Sequence, residues 1–133
     1  MVRFILDLSP RSHIDQSTLN SIKLLNSQDR VTQLRLNHVF KIFNGTSPSY
    51  LCKNFIRAAT AHSHNTRSSS YNFIVPGVKG IAKKTFYYNA ILNWNDLPAH
   101  IQSNGNLDDF KKAAMNDLAA KALKRESDDF VRV

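Results

Sequence analysis

Residues 27 to 45 read SQDRVTQLRLNHVFKIFNG. Val31, Leu34, Leu36, Val39, Phe40, Ile42 and Phe43 recur at helical spacing and cover about half of the helical circumference, wider than the single stripe of a surface helix. A helix with so broad an apolar arc must be packed on more than one side. The stretch therefore predicts a central helix capped at Ser27 and ended by Gly45, and with it a mainly α-helical domain built around that axis.

The flanking segments fit this frame. Upstream, HIDQSTLNSIKLLN (13 to 26) predicts a short helix capped near Ser17, with Leu19, Ile22 and Leu25 inward. Downstream, Ser47-Pro48 offers a cap and a first-turn proline for a helix over PSYLCKNFIRAA, burying Leu51, Phe55 and Tyr50 and exposing Lys53 and Arg57. TAHSHNTRSSS is polar and aperiodic and reads as a loop carrying Arg67. YNFIVPGVKG is β-prone up to Pro76 and Gly77, giving one short β-hairpin or an extended arm that must pair elsewhere, since an isolated strand is unstable.

In TFYYNAILNWNDLP (85 to 98), Phe86, Ala90, Trp94 and Leu97 share one helical stripe, with Tyr87 and Ile91 beside it and Tyr88 and Leu92 further round. Phe86 and Trp94 are thus expected in the core. A turn of helix carrying Ile101 follows Pro98, and Ser103-Asn104-Gly105 breaks the chain. Asn106 caps a last helix with early Asp108 and Asp109, late Lys124 and Arg125, and a stripe of Leu107, Phe110, Ala114, Leu118 and Ala122. The expectation is one compact domain over residues 1 to 126, with about five helices, and a frayed tail from 127 to 133.

At 133 residues and 15.1 kDa the chain suits one core, and its mean hydropathy of −0.35 with 42% hydrophobic residues is that of an ordinary folded domain. MVRFILDLSPR is broken by Arg3, Asp7 and Arg11, unlike a signal peptide, and no segment has bilayer-spanning length. A single Cys52 fits a reducing compartment, so a cytoplasmic or nuclear protein is expected.

The formal net charge of +8 is unevenly placed. No acid occurs between Asp29 and Asp96, whereas that interval holds Arg30, Arg35, Lys41, Lys53, Arg57, Arg67, Lys79, Lys83 and Lys84. A block of one sign attracts polyanions, and phosphate neutralisation releases counterions. Nucleic acid is the natural partner. A membrane-surface helix would instead concentrate its cations on one polar face, whereas here they are spread over several elements.

No complete catalytic motif is present. His62 and His64 with Cys52 lack a fourth ligand and helical spacing, so solvated loop histidines are the better reading than a metal site. His38 suits the core edge, His100 has no nearby nucleophile, and Cys52 lies among apolar neighbours. Gly77 and Gly80 do not make a phosphate loop, and the adjacent pairs Asp108-Asp109 and Asp128-Asp129 cannot converge on two metal ions. No cofactor is expected.

The ordered set PRSHI, RVTQLRLNHVFKIFNGTSPSYL, HNTRSSS, VPGVKG, TFYYNAILNWNDLP and LDDFKKA resembles the C-terminal segment of reverse transcriptases encoded by non-LTR retrotransposons of the jockey and CR1-like kind. The resemblance runs from about Arg3 to about Leu123. It rests on Arg30, Gly45, Pro48, Tyr50, Leu51, Thr66, Arg67, Ser68, Trp94, Asn95, Leu97, Pro98, Phe110 and Lys111. It implies a piece of an RNA-directed DNA polymerase that lies beyond the palm, without the catalytic aspartates, and hence no polymerase activity of its own.

Together these readings predict a noncatalytic module that binds RNA or DNA without sequence preference. Lys53, Arg57, Arg67, Lys79, Lys83 and Lys84 would contact phosphates, and Tyr88 or Tyr71 would stack a base. The alternatives are a structural or protein-interaction domain that braces the reverse-transcriptase thumb, with Leu92 and Tyr88 as an exposed patch, or an expressed relic of a retroelement.

Overall fold

The computed structural model describes residues 1 to 61 and 70 to 131. The fold is mainly α. Three helices form its frame: α3 (Ser27–Phe43), α6 (Phe86–Asn95) and α8 (Leu107–Val131). Five shorter helices accompany them among the described residues: α1 (Val2–Ile5), α2 (Gln16–Ser21), α4 (Ser49–Cys52), α5 (Ala58–Ala61) and α7 (Ala99–Gln102). A 3-10 turn over Gly80–Lys84 precedes α6.

Much of the broad apolar arc of α3 is explained by its two partners, since α3 packs against both α6 and α8. Leu36, Val39 and Phe40 from α3, Ala90, Ile91 and Trp94 from α6, and Phe110, Ala114 and Leu118 from α8 form one buried cluster with Phe73, Leu97 and Ile101. Its centre is aromatic. Phe40 stacks on Phe110 with ring centroids 4.5 Å apart, and Trp94 lies 5.5 Å from Phe43 and 5.8 Å from Phe110. These separations are those at which aromatic pairs gain energy beyond their buried area.

Both upstream helix starts lie one or two residues before the expected caps, for the same reason. Asp15, not Ser17, accepts the Thr18 N–H (2.8 Å), and Asn26, not Ser27, accepts the Asp29 N–H (2.8 Å). In each case a side-chain oxygen reaches the backbone three residues on, satisfying a donor that the first turn leaves free. At the other end of α3, Gly45 takes φ +71° and Thr46 N–H donates to Lys41 O (2.9 Å). A residue with a Cβ is disfavoured in that left-handed conformation.

Two expectations are corrected and one open alternative is decided. The helix over PSYLCKNFIRAA is split into α4 and α5, because the backbone of 56 to 58 pairs with the arm instead: Ile74 N–H donates to Ile56 O (2.8 Å) and Ala58 N–H to Asn72 O (2.9 Å). Of the hairpin and the arm, the arm forms, and Arg57 opposite Phe73 is an isolated antiparallel bridge. Tyr50 is exposed rather than inward. Among the described residues α8 runs on to Val131, and Glu126 Oε1 accepts the Gln16 N–H (2.9 Å), tying this part of α8 to α2.

Candidate nucleic-acid interface

The arm is held by the Trp-Asn pair of α6. Trp94 is fully buried and its Nε1–H donates to Tyr71 O (2.7 Å). Asn95 meets Phe73 twice: Phe73 N–H donates to Asn95 Oδ1 (3.0 Å) and Asn95 Nδ2 donates to Phe73 O (2.8 Å). A side-chain amide thus reproduces the two hydrogen bonds that a neighbouring strand would supply. Gln102 Nε2 donates to Trp94 O (2.7 Å) and completes the joint. Tyr71 belongs to this packing, half-buried with its ring 6.0 Å from Phe43.

Arg57 is also committed to the fold. Its guanidinium carbon lies 4.1 Å from the centroid of Phe43, a cation–π distance, and Nη2 donates to the Phe43 carbonyl in the last turn of α3. The carbonyls there have no partner within the helix, and a cation is favoured at that end. Arg57 therefore bolts the arm's neighbour to α3 while its side chain stays exposed.

The remaining described lysines of the predicted set are exposed and have no ion-pair partner among the described residues. Lys53 follows α4, and the next residue, Asn54, accepts at its carbonyl from the Tyr87 hydroxyl. That bond brings the Lys53 loop to the start of α6, next to the 3-10 turn. Lys79 is the residue that caps the start of the turn, and Lys83 and Lys84 lie on the turn itself. Its backbone is fixed from α6: Asn89 Nδ2 donates to Lys83 O (3.0 Å) and Thr85 O (2.9 Å), and the Thr85 hydroxyl donates to Ala82 O (2.8 Å). Tyr88 is half-buried on the first turn of α6. Arg67, His62 and His64 lie outside the described residues.

One group of residues went unrecognised as a site in the sequence. Val31, Leu34, Arg35 and His38 of α3, with Phe86 of α6, line an open groove of about 460 Å³. Phe86 is 47% exposed, against the expectation of a core position, and meets His38 edge to face at 5.7 Å with the rings at 74°. As the first residue of α6 it lies where that helix emerges from the core, one turn before Ala90 is sealed. The signal was the width of the α3 arc: Val31 and Leu34 are 46% and 53% exposed and serve no core contact on either side.

The acids are placed elsewhere. Asp29 and Asp96, which bracket the acid-free interval, both bind α8: Arg125 Nη2 lies 2.7 Å from Asp29 Oδ1, and Lys121 Nζ lies 2.7 Å from Asp96 Oδ2. Lys121 also reaches Asp117 Oδ2 at 3.0 Å, an ion-pair distance without hydrogen-bond alignment at that oxygen. Burial pulls the Lys121 ammonium down, but its hydrogen bond to Asp96 and its close contact with Asp117, with both negative charges, raise it above the ordinary lysine value. Every ion pair among the described residues draws its cation from α8.

Among the described residues no three His, Cys, Asp or Glu side chains are placed to hold a metal ion, and no helix is long and apolar enough to cross a membrane. No family model, curated protein or solved structure matches this chain.

Proposed function

We propose that this chain is a noncatalytic module that binds RNA or DNA through its backbone phosphates, acting in the cytoplasm or nucleus. By its resemblance we place its origin in the C-terminal segment of a non-LTR retrotransposon reverse transcriptase. The observation that carries the binding reading is the separation of charge: the acids at both borders of the basic interval are neutralised by α8, while Lys53, Lys79, Lys83 and Lys84 have no ion-pair partner among the described residues. Lys83 and Lys84 end one turn whose backbone is fixed from α6, and Lys79 caps the start of that turn.

Affinity for a labelled oligonucleotide, measured against salt, tests this reading. Each phosphate neutralised contributes about −0.7 (single strand) to −0.9 (duplex) to the log–log slope, so four to six contacts give a slope of roughly −3 to −5. Lys79→Glu, Lys83→Glu and Lys84→Glu together should flatten the slope by about two to three. Unchanged affinity in that triple variant sinks the proposal. The second reading, a protein-interaction or thumb-bracing domain, draws on Leu92, Phe4 and Ile5, which stand exposed. Concentration-dependent light scattering with no oligonucleotide binding at low salt would favour it.

A further inference from the structure

We propose that the groove between α3 and the start of α6 is a pocket for one unstacked base of a single-stranded nucleic acid, a site that rests on the binding reading above and specifies it. Phe86 supplies the stacking face. Arg35 and His38 face the edge of the base and its phosphate, and Lys83 and Lys84 take the next phosphates along the strand.

Four observations converge on that occupant. Phe86 and His38 form a corner, with rings at 74°, so a planar group stacked on one ring presents its edge to the other. The floor beside them is apolar, made by Val31 and Leu34, which suits the faces of a base and not the phosphodiester ribbon. No carboxylate lines the groove, and Arg35 has no ion-pair partner among the described residues. Phe86 follows the lysine turn directly, separated from Lys84 only by Thr85, so the stacking ring and the phosphate-binding cations are adjoining.

A duplex cannot use such a corner, because its base faces are covered by their neighbours and only edges and phosphates are presented. Single strands offer faces, and aromatic side chains flanked by cations are the usual device for holding them. The groove volume of about 460 Å³ falls within the range of about 300–1,000 Å³ of sites that hold drug-sized ligands, room enough for one base. A protein helix laid on the same apolar residues would find Arg35 and the lysine turn at its border, and is the competing occupant that the experiment must separate.

The experiment uses the full chain and three fluorescein-labelled probes of equal length: a 15-mer of deoxythymidine, the same 15-mer with every base removed, and a blunt duplex. Stacking one base on an aromatic ring corresponds to between about 5- and 100-fold in affinity. The expected result is that Phe86→Leu weakens binding of the thymidine 15-mer by that factor and leaves the abasic and duplex probes unchanged. Phe86→Trp should retain or strengthen it. Lys83→Glu with Lys84→Glu should weaken all three probes together. A melting curve on each variant confirms the fold.

If all three probes bind alike and Phe86→Leu changes none of them, the base pocket is overturned while the phosphate-binding reading stands. If none of the probes binds at low salt, both are overturned. If Phe86→Leu alters only self-association in light scattering, the groove is a protein-docking surface and the proposal fails.

Discussion

Replacing Asn95 with alanine removes both hydrogen bonds that hold Phe73, and its cost can be worked from the structure. Phe73 is 3% exposed, so its N–H and carbonyl cannot exchange the lost partner freely for water. An intramolecular hydrogen bond contributes about 0.5–1.5 kcal/mol net, and an orphaned buried group costs about 1–3 kcal/mol. Asn95 itself is only half-buried, which admits some water and favours the lower values. The sum is about 2–4 kcal/mol, a large part of the 5–15 kcal/mol that stabilises a typical domain. At this chain length that lowers Tm by about 8–16 °C. The assay is urea unfolding followed by the fluorescence of the single tryptophan, Trp94, with amide exchange at Phe73 and Ile74 to locate the loss. Both amides should lose protection more than those of Val39 or Ala114.

Asn95→Asp sharpens the test. An ionised carboxylate still accepts from Phe73 N–H but opposes the Phe73 carbonyl, whereas the protonated acid donates to it. The opposed carbonyl raises the acid's folded pKa, so the variant gains stability as pH falls through that pKa and its deficit against the native protein narrows. A cost below about 0.5 kcal/mol for Asn95→Ala, with unchanged exchange at Phe73, would refute the claim that this side chain stands in for a strand.

Trp94→Ala should cost about 3–5 kcal/mol in chemical denaturation, because the ring lies at the aromatic centre of the core, whereas Trp94→Phe should cost about 1–2 kcal/mol by leaving Tyr71 O unpaired. Arg57→Ala should lower stability by about 1–2 kcal/mol through loss of the Phe43 contact and of the cap on α3, yet leave the salt slope of oligonucleotide binding unchanged, which a phosphate contact would not. The Asp15 carboxyl is held down at about 2, first by the Thr18 hydroxyl and then by the Thr18 N–H. Its folded value lies below the unfolded one, so the stabilisation it gives α2 is complete above about pH 4 and is lost as pH falls toward 2; carboxyl NMR titration reads the midpoint, and Asp15→Asn should abolish this component.

The helical frame was legible because α3 and α8 carry long repeats with a period set by local geometry. Leu36, Val39 and Phe40, and likewise Phe110, Ala114, Leu118 and Ala122, fall inside as their spacing requires. The cation-rich interval was equally plain, since charge needs only counting. Phe86 was misplaced because a wheel assigns a direction to a residue but not how far the neighbouring helix extends to cover it. The tie of Arg57 to α3 was not legible because its partner is a backbone carbonyl, and no residue type marks a carbonyl. The arm's β-prone run was visible, but its partner is the amide of Asn95, 22 residues away, which has no strand-like periodicity. The pairing of Asp29 with Arg125 spans 96 residues and follows from packing alone.

The confinement of ion pairing to α8 has a kinetic consequence. A molecule whose lysines near α6 have no ion-pair partner among the described residues, while most of its carboxylates lie on or pair with one helix, carries a permanent charge asymmetry. In the field of a polyanion such a body experiences a torque before any surface touches, and it turns its lysine turn forward as it approaches. Productive collisions then become a larger share of all collisions at low ionic strength. Raising the salt to physiological levels shortens the reach of that torque to about 8 Å, so the protein arrives more often in the wrong attitude and the association rate falls.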